Sequence, residues 1–445
     1  MKQDETVTDC SFNSASAPDY LPLPQLRALQ LSRLRNVVAN AYHNQNCGLM
    51  KKRMDGTGVK PNDIRTLADI RRLPFSVKAD LRDTYPYGLF TVPREQVVRL
   101  HASSGTTGKP IVVGYTQKDI EVWSDAMRRS FLACGLCQDD VMQVSYGYGL
   151  FTGGLGAHYG GEVLGATVVP TSGGNTERQI MVMQDFGVTA ICCTPSYFTH
   201  IAEKAAEFGV DIRKTRLRVG VFGAEPWTEA MRHKIQEETG IRAHDIYGLS
   251  EIIGPGVAVE CREQSGLHVF EDYFYPEIID PETCEVLPDG EEGELVLTTL
   301  AKEAIPMIRY RTRDITTIMT EPCRCGRSVR RIRRVGRRSD DMMIIRGVNV
   351  FPSQIETALM RVKGLSPHYQ IIVTREAGLD QMEVQIEVTP ELLGDRILEL
   401  ESLQRTIAHN IFSTVGINAK VTLAEPKTIA RSEGKAKRVI DKRGI

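Results

Sequence analysis

Between about residues 95 and 260, short apolar runs alternate with longer amphipathic stretches. The apolar runs have the length of buried strands and read VMQVSYG, ATVVP, VTAICCT, LRVGVFG and IRAHDIYG. The stretches between them have a helical periodicity, and a glycine that can cap a helix follows each one. Such alternation predicts an α/β fold with a mainly parallel sheet covered by helices.

The chain on either side of this region has a different pattern. Residues from about Tyr20 to Tyr87 repeat apolar side chains at helical spacing. Between residues 266 and 335, GELVLTTL and VRRIRRV indicate an antiparallel β segment. From residue 340 onwards the pattern predicts a strand, a helix, two strands, a helix and a last strand, an order typical of a compact α+β unit.

These changes of pattern define the expected domains. Segment 1–19 is polar and acidic and lacks the apolar core of a signal peptide, so we expect a loose leader there. A large N-terminal domain is expected over residues 20–339, and a small C-terminal domain over residues 340–445.

Composition excludes several classes of protein. The 445 residues have a formal net charge of −1, which argues against a nucleic-acid partner or a membrane surface. No segment reaches the roughly 18 consecutive apolar residues of a membrane span. Ten cysteines without the spacing of a small disulfide scaffold suit a reducing compartment. We therefore expect a cytoplasmic protein that acts on small molecules.

The segment HASSGTTGKP, residues 101–110, has the hydroxyls and glycines of a phosphate-binding loop. It is not a Walker A loop, because Gly105 and Gly108 are too close together and Pro110 directly follows Lys109. The run IVVGYT after it is of β type, whereas a Walker loop opens a helix. A surface hairpin rich in small residues is the alternative interpretation.

Five motifs in order resemble those of the adenylate-forming acyl-CoA ligases. They are SSGTTGKP, YGLSE, YRTRD, GRRSDDMMIIRGVNVFPSQIE and RSEGKAKRV. LADIRRLPFSVKADLRDTYPYGLF, residues 67–90, resembles the phenylacetate–CoA ligase branch of that family. The resemblance implies that a carboxylate attacks the α-phosphate of ATP to give an acyl-adenylate and pyrophosphate. The thiol of coenzyme A then displaces AMP at the same site.

The resemblance also implies which residues bind the nucleotide. The glycine-rich loop would bind the β- and γ-phosphates, and it consists of Ser103, Ser104, Gly105, Thr106, Thr107, Gly108 and Lys109. The YGLSE motif would place Tyr247 against adenine, Gly248 and Ser250 at the nucleotide, and Glu251 at magnesium, which prefers oxygen ligands. A core aromatic at a strand end is the alternative for Tyr247.

Two further segments complete the implied nucleotide site. Ala224, Glu225 and Pro226 would form the wall beside adenine, and a strand-to-helix turn is a compatible interpretation of the same residues. Asp314 would accept hydrogen bonds from both ribose hydroxyls, as an ionised carboxylate can. A salt bridge from Asp314 to Arg311 or Arg313 is the alternative.

The small domain is implied to be mobile and to carry a catalytic lysine. Arg338 aligns with the arginine before the hinge and Asp340 with the hinge residue, although Arg337 is a rival for the arginine role. Lys435 would neutralise charge between the carboxylate and the α-phosphate, with Lys437 as the alternative. Without the family context these basic residues would be a solvated tail. The small domain is expected to swing, which removes the lysine and opens a channel for the thiol.

An aromatic, glycine-rich segment is implied to line the acid pocket. Within SYGYGLFTGGLGAHYGG the walls would be Tyr146, Tyr148 and Phe151, and Gly153 and Gly154 would let a flat ring approach the backbone. A tightly packed helix-to-sheet contact is the alternative for any single residue of this segment. The pattern does not distinguish phenylacetate from hydroxyphenylacetate, indoleacetate or benzoate.

Two cysteine-containing clusters predict a metal site. Cys261 and His268 lie before a β segment, and Cys323 and Cys325 lie after it. Antiparallel pairing would bring the four together as a closed structural zinc set. Four scattered, reduced side chains are the alternative, and Cys284 is a spare ligand candidate.

The expected function is that of an ATP-dependent aryl-acid–CoA ligase acting on phenylacetate, in phenylacetate catabolism, with ATP, Mg²⁺ and coenzyme A. A homodimer is expected from the same resemblance. One alternative is a coenzyme F390 synthetase-like adenylyltransferase, which transfers AMP without coenzyme A. A non-catalytic nucleotide-binding protein is another, although Glu251, Asp314 and Lys435 argue against it.

Overall fold

The computed structural model describes residues 13–44, 46, 48–103, 110–339, 343–345, 348–362, 364–376, 379–389, 397–431 and 438–443. The α-helices are α1 (Leu23–Tyr42), α2 (Leu49–Thr57), α3 (Lys78–Asp83), α4 (Gln117–Cys134), α5 (Gly153–Leu164), α6 (Thr176–Asp185), α7 (Pro195–Glu207), α8 (Glu229–Thr239), α9 (Pro352–Met360) and α10 (Ile397–Val415). None of these described helices has both the length and the apolar character that crossing a bilayer requires.

The strands of the large domain are β1 (Arg99–Ser103), β2 (Ile111–Tyr115), β3 (Val141–Val144), β4 (Thr167–Val169), β5 (Ala190–Cys193), β6 (Val219–Gly223), β7 (Arg242–Leu249), β8 (Gly254–Glu260), β9 (Leu267–Val269), β10 (Phe274–Ile279), β11 (Glu292–Thr299), β12 (Tyr310–Met319), β13 (Arg331–Ile332) and β14 (Arg337–Arg338). The strands of the small domain are β15 (Met343–Ile345), β16 (Val348–Val350), β17 (Leu365–Glu376), β18 (Leu379–Val388), β19 (Lys420–Ala424) and β20 (Val439–Asp441).

A twelve-stranded sheet forms the centre of the large domain. Its order is β10-β11-β12-β13-β9-β8-β7-β6-β5-β3-β4, and β14 pairs with β12. Pairing is parallel from β4 to β7 and antiparallel from β7 to β10. The expected α/β class, with a β segment after the parallel strands, is therefore confirmed. The change of pairing occurs at β7, whose end carries the YGLSE motif.

Helices α4 and α5 cover the sheet and pack closely against each other. Thr116 caps the start of α4 by accepting a hydrogen bond from the Asp119 amide, and Gly135 ends the helix in a left-handed conformation (φ 86°). A Cβ atom on Gly160 of α5 would lie 2.3 Å from the Met127 Cβ atom of α4. Only glycine permits this approach, which buries Phe131 completely. Burial of one such aromatic ring stabilises the fold by about 1.5–3 kcal/mol.

The chain before α1 packs against the large domain from Asn13 onwards. Residues 13–19, which we expected to belong to a loose leader, include most of a 3₁₀-helix at Ser14–Tyr20. Asp19 has no exposed surface, and its backbone carbonyl accepts a 2.8 Å hydrogen bond from the Ser328 amide. Its carboxylate lies 3.3 Å from Arg327 Nε and also pairs with the buried Arg129. Three distant parts of the chain therefore meet at Asp19.

The small domain has the predicted order of elements, with two short strands in addition. Its four-stranded sheet has the order β19-β18-β17-β20, in which β17 and β18 are antiparallel and the outer pairs are parallel. Helices α9 and α10 pack on this sheet around Ile355, Ile407 and Ile411, which are fully buried. The additional strands are β16, which forms a hairpin with β15, and β20. The proposed hinge residue Asp340 lies outside the described residues, so the domain boundary stays a prediction.

Candidate active site

The segments that follow three parallel strands meet at one edge of the central sheet. They are residues 145–152 after β3, 224–226 after β6, and 250–251 after β7. The Thr152 and Ser250 hydroxyl oxygens are 3.1 Å apart, which joins the first segment to the third. This edge, at the carboxyl ends of parallel strands, is where open α/β sheets bind their ligands.

The flanks of the predicted phosphate loop reach the same edge. The loop connects the antiparallel strands β1 and β2, in agreement with the exclusion of a Walker A motif. The Ala102 amide donates a 3.0 Å hydrogen bond to the Leu150 carbonyl, and His101 Nδ1 lies 3.0 Å from the same oxygen. Ser103 ends β1. The other predicted loop residues all lie outside the described part of the chain: Ser104, Gly105, Thr106, Thr107, Gly108 and Lys109.

The predicted adenine wall follows β6 in a strained turn. Ala224 has a left-handed backbone (φ 70°), which costs a residue with a Cβ atom roughly 1–2 kcal/mol. Glu225 Oε1 accepts a 2.8 Å hydrogen bond from the Ser196 amide in the first turn of α7. Pro226 precedes Thr228, the residue that caps α8. The segment is therefore also the strand-to-helix turn that we expected.

The predicted ribose carboxylate is held by two side chains. Tyr247 donates a 2.6 Å hydrogen bond to Asp314 Oδ2, and Arg338 Nη1 lies 3.0 Å from Asp314 Oδ1. Asp314 and Arg338 are register partners in β12 and β14. Burial raises the pKa of Tyr247, and the Asp314 charge raises it further. The phenol therefore stays protonated and acts as a donor.

The sequence neighbours of Asp314 have other partners. Arg311 Nη2 lies 2.6 Å from Glu294 Oε2, and Arg313 Nη1 lies 3.5 Å from the same oxygen. The alternative of a salt bridge from Asp314 to either of them does not occur in the structure. Arg337, the rival of Arg338, contacts Glu292 and lies over the Phe351 ring at 5.1 Å. Of these arginines, Arg338 is the one that the structure shows in contact with Asp314.

Two lysines contact Glu251, the predicted magnesium ligand, one at its carboxylate and one at its backbone carbonyl. Lys78 Nζ lies 3.4 Å from Glu251 Oε1 and is half-exposed. Lys302 is only 3% exposed, and its Nζ donates a 3.1 Å hydrogen bond to the Glu251 backbone carbonyl. Burial lowers the pKa of Lys302 to about 8, although the carboxylates of Asp119 and Glu251 oppose this shift. The Glu251 carboxylate thus already faces the ammonium group of Lys78.

The predicted aryl pocket lies between β3 and α5. The Tyr146 and Phe151 ring centroids are 6.5 Å apart, and the Tyr148 hydroxyl lies 3.2 Å from His158 Nδ1. Tyr146 is buried, which raises the pKa of its phenol, and the Gly223 backbone before the adenine wall contacts that phenol. The three aromatic residues therefore share one loop beside the predicted nucleotide residues.

The two glycines assigned to the pocket pack against that loop. A Cβ atom on Gly153 would lie 2.4 Å from the Phe151 ring, and one on Gly154 would lie 2.5 Å from the Gly147 carbonyl oxygen. Gly161, later in α5, is instead close to the Val168 side chain of β4. The alternative of helix-to-sheet contact thus applies to Gly161, while Gly153 and Gly154 shape the aromatic loop.

The four predicted metal ligands lie together at the other end of the antiparallel strands. Cys261 follows β8 and His268 lies in β9, which pairs with β13 through His268 and Arg331. Cys323 and Cys325 lie in the connection before β13. The four ligand atoms are all within 4.8 Å of one another. The spare candidate Cys284 lies elsewhere, where its sulfur accepts a 3.1 Å hydrogen bond from Arg311 Nη1.

Distances within this cluster are short. The Cys261 and Cys323 sulfurs are 3.7 Å apart, and Cys325 Sγ lies 3.4 Å from His268 Nε2. A hydrogen bond from the Cys261 thiol lowers the pKa of Cys325 and raises that of Cys261. Of these two sulfurs, Cys325 is therefore the one that is favoured as a thiolate.

Comparison with known proteins identifies the family. The model for "AMP-binding enzyme" matches residues 53–300, and that for its C-terminal domain matches residues 347–443. The chain is 52% identical over 422 residues to a phenylacetate-coenzyme A ligase of Aromatoleum evansii, which spans 94% of this chain and 95% of that protein. The chain belongs to the phenylacetate–coenzyme A ligases of the AMP-binding enzyme family. A phenylacetate-coenzyme A ligase of Thermus thermophilus is 49% identical over 439 residues, with 96% and 98% of the two chains covered. The resemblance carried by the motifs is confirmed.

Solved structures of a related ligase separate two domain arrangements. A 2-hydroxyisobutyryl-CoA ligase in the postadenylation state, 28% identical, superposes with a TM-score of 0.90 over 96% of this chain and 92% of that chain. The same ligase in the thioesterification state, with coenzyme A, superposes with a TM-score of 0.70 over 96% and 91%. This member of the phenylacetate–coenzyme A ligase family is therefore more similar in its domain arrangement to the postadenylation state.

Some functional residues of the family motifs lie outside the described residues, namely Asp340, Lys435 and Lys437. Other polar residues at the site were not predicted, among them Lys78, Thr152 and Lys302. Lys78 lies in the SVKADLRD part of a motif that we used only for the resemblance. Lys302 gave no signal, because its partner Glu251 is distant in sequence and the contact uses a backbone oxygen.

Proposed function

We propose that this chain joins an aryl acid, phenylacetate, to coenzyme A at the expense of ATP. The observation that carries the proposal is the meeting of Asp314, Tyr247 and Glu251 at one edge of the sheet, beside an aromatic loop. A free carboxylate is a poor electrophile, whereas its mixed anhydride with AMP has a good leaving group. The acyl-adenylate forms first with release of pyrophosphate, and the thiol of coenzyme A then displaces AMP.

The nucleotide is bound in this proposal by charge and shape rather than by a covalent bond. Asp314 accepts hydrogen bonds from the two ribose hydroxyls, and Arg338 orients its carboxylate. Tyr247 and the turn Ala224–Glu225–Pro226 border adenine, with Gly248 and Ser250 next to the phosphates. The loop from Ser103 to Lys109 holds the β- and γ-phosphates until pyrophosphate leaves.

Glu251 is the residue that we propose holds magnesium. The first ground for this fit is chemical, because a carboxylate is a hard oxygen ligand. The second is that Oε1 already contacts a cation, the Lys78 ammonium group 3.4 Å away. Bound magnesium would neutralise charge on the phosphates during adenylation. Lys302 holds the backbone from which this carboxylate extends, because its Nζ donates a 3.1 Å hydrogen bond to the Glu251 carbonyl.

The acid lies, in this proposal, between Tyr146, Tyr148 and Phe151, with its carboxylate directed to the α-phosphate. Gly153 and Gly154 keep the loop close enough for a flat ring. Lys435 neutralises the charges of the carboxylate and the α-phosphate as they approach, and Lys437 is the second candidate for this role. The small domain then turns about Asp340, which withdraws the lysine and admits coenzyme A.

We further propose that Cys261, His268, Cys323 and Cys325 bind one structural zinc ion. A tetrahedral ion with Zn–S bonds of about 2.3 Å and Zn–N bonds of about 2.0 Å separates two sulfurs by about 3.8 Å and a sulfur from a nitrogen by about 3.5 Å. The corresponding separations in the structure are 3.7 Å between the Cys261 and Cys323 sulfurs and 3.4 Å between Cys325 Sγ and His268 Nε2. A closed set of four protein ligands leaves no position for a substrate, so this zinc would hold strands together rather than catalyse.

A pyrophosphate-release assay with and without coenzyme A tests the main proposal. The acids are phenylacetate, hydroxyphenylacetate, indoleacetate and benzoate, and the products are identified by mass. Phenylacetyl-CoA formation with the highest kcat/KM for phenylacetate is the expected result. Adenylation of another acceptor without any use of coenzyme A would favour the adenylyltransferase alternative. ATP binding without pyrophosphate release for every acid would favour a non-catalytic protein.

We also propose that the enzyme acts in the cytoplasm as a homodimer and serves phenylacetate catabolism, since its product is an activated thioester. The ten cysteines, which lack the spacing of a small disulfide scaffold, support a reducing compartment. Size-exclusion chromatography with light scattering tests the dimer, for which a mass of twice 49.6 kDa is expected.

A further inference from the structure

Helix α7 of the large domain presents two carboxylates to the small domain. The two carboxylate oxygens of Glu203 lie 3.0 and 3.1 Å from His368 Nε2 in β17. Arg431, after β19, lies 3.6 Å from Glu203 Oε2. One turn further along α7, Glu207 Oε1 lies 2.7 Å from Lys427 Nζ. We refer to these five side chains as the α7 clasp.

Glu203 is the centre of the clasp. Burial would raise the pKa of its carboxyl, but the hydrogen bond from His368 and the charge of Arg431 outweigh burial and lower it. Arg431 is itself held by Glu387 of the small domain at 2.7 and 2.8 Å, so its guanidinium is already oriented. The Glu207–Lys427 pair is more exposed and contributes less, because water screens it.

Few other polar contacts between the domains are described. Thr228, the cap of α8, donates a 3.1 Å hydrogen bond to Glu356 of α9, and Lys234 Nζ lies 3.5 Å from the Leu365 carbonyl. Glu356 is also bound by Tyr369 within the small domain. The clasp is therefore the main charged contact between α7 and the small domain in the part of the chain described.

We infer that Glu203 is a positioning residue for the first half-reaction, which rests on the proposed ligase function. Its hydrogen bond with His368 and its ion pair with Arg431 hold the small domain in the arrangement that resembles the postadenylation state and is thereby suited to acyl-adenylate formation. A rotation towards the thioesterification arrangement separates His368 and Arg431 from Glu203. The clasp thus sets the ratio of the two arrangements, because it stabilises one and not the other.

The test uses the full chain with Glu203→Gln, which keeps the side-chain shape and removes the charge. The first half-reaction is measured as phenylacetate-dependent exchange of pyrophosphate into ATP, and the second as thioester formation from supplied phenylacetyl-adenylate and coenzyme A. The exchange rate is expected to fall about tenfold, equivalent to about 1.4 kcal/mol, while thioester formation stays unchanged or rises. Glu237→Gln, an exposed carboxylate of α8, is the matched control and leaves both rates unchanged.

A double-mutant cycle separates positioning from a general structural effect. His368→Gln removes the partner of Glu203 in the small domain, so combining it with Glu203→Gln is expected to lower the exchange rate little further than Glu203→Gln alone. An equal fall of both half-reactions in Glu203→Gln, an unchanged exchange rate, or fully additive losses in the double variant would overturn the inference.

Small-angle X-ray scattering gives a readout that does not depend on activity. The wild-type curve is expected to fit the domain arrangement of this structure, which resembles the postadenylation state. The curve of Glu203→Gln is expected to differ from it. If the wild type and Glu203→Gln give identical curves, the clasp does not set the domain arrangement, even if the wild type turns over no aryl acid. The absence of turnover in the wild type, together with shifted curves, contradicts only the proposed ligase function.

Discussion

The Tyr247 hydroxyl lies 2.6 Å from the Asp314 carboxylate, so the residue proposed to border adenine also orients the residue proposed to bind ribose. The two residues come from motifs on different strands, β7 and β12. Arg338 completes the set from β14. One hydrogen-bonded group therefore connects the base and sugar ends of the nucleotide site.

Removal of this hydroxyl tests the connection. Tyr247→Phe keeps the ring beside adenine but removes the 2.6 Å hydrogen bond to Asp314, so we expect KM for ATP to rise about three- to tenfold with kcat nearly unchanged. Steady-state pyrophosphate release at saturating phenylacetate measures both constants. Asp314→Asn, which also removes the charge, is expected to have the larger effect. An unchanged KM in Tyr247→Phe would mean that the hydrogen bond does not assist nucleotide binding.

The lysine assignment has a different kinetic signature. Lys435→Ala is expected to lower acyl-adenylate formation by about 100-fold or more, because charge neutralisation at the α-phosphate is lost, and to spare thioester formation from supplied acyl-adenylate. Each half-reaction is measured separately, with Lys437→Ala as the control. Equal loss in both half-reactions refutes the assignment, and a larger effect of Lys437→Ala transfers the role to that residue.

Zinc content tests the cysteine cluster. Protein purified without added metal is expected to contain one zinc per chain by elemental analysis, and Cys323→Ser to lose it together with several degrees of Tm. Cys284→Ser leaves the zinc in place, because Cys284 lies at Arg311. Substoichiometric zinc in the wild type would contradict the site.

The buried Lys302 predicts a pH dependence of stability. Its pKa is lowered to about 8 in the folded chain, so between pH 8 and its unfolded value the unfolded chain binds more protons. The free energy of unfolding should then rise with pH over this window, by about 3 kcal/mol relative to Lys302→Met. Below pH 8 the difference between the two proteins stays constant.

Denaturant titrations from pH 7 to 10 measure this difference. Lys118→Met removes an exposed lysine and should show no such slope. A flat difference between wild type and Lys302→Met across the whole range would show that Lys302 keeps an ordinary pKa.

Patterns along the chain predicted the α/β class, the order of elements in the small domain and the meeting of the four metal ligands, because these follow from strand pairing. The partner of Asp314 could not be predicted in the same way. Successive side chains of a strand point to opposite faces, so Arg311 and Arg313 reach Glu294 while Asp314 faces Arg338. Glu203 and His368 gave no sequence signal, since their contact depends on how two domains pack.

The burial of Asp19 has a consequence for the growing chain. Its carboxylate contacts Arg129 and Arg327, and its carbonyl binds Ser328, so its environment is complete only after about three quarters of the polypeptide has been synthesised. Before that point, burial would leave Asp19 with an incomplete set of partners, which is unfavourable for a charged group. We therefore expect the segment around Asp19 to dock only after the cysteine-containing connection has been synthesised.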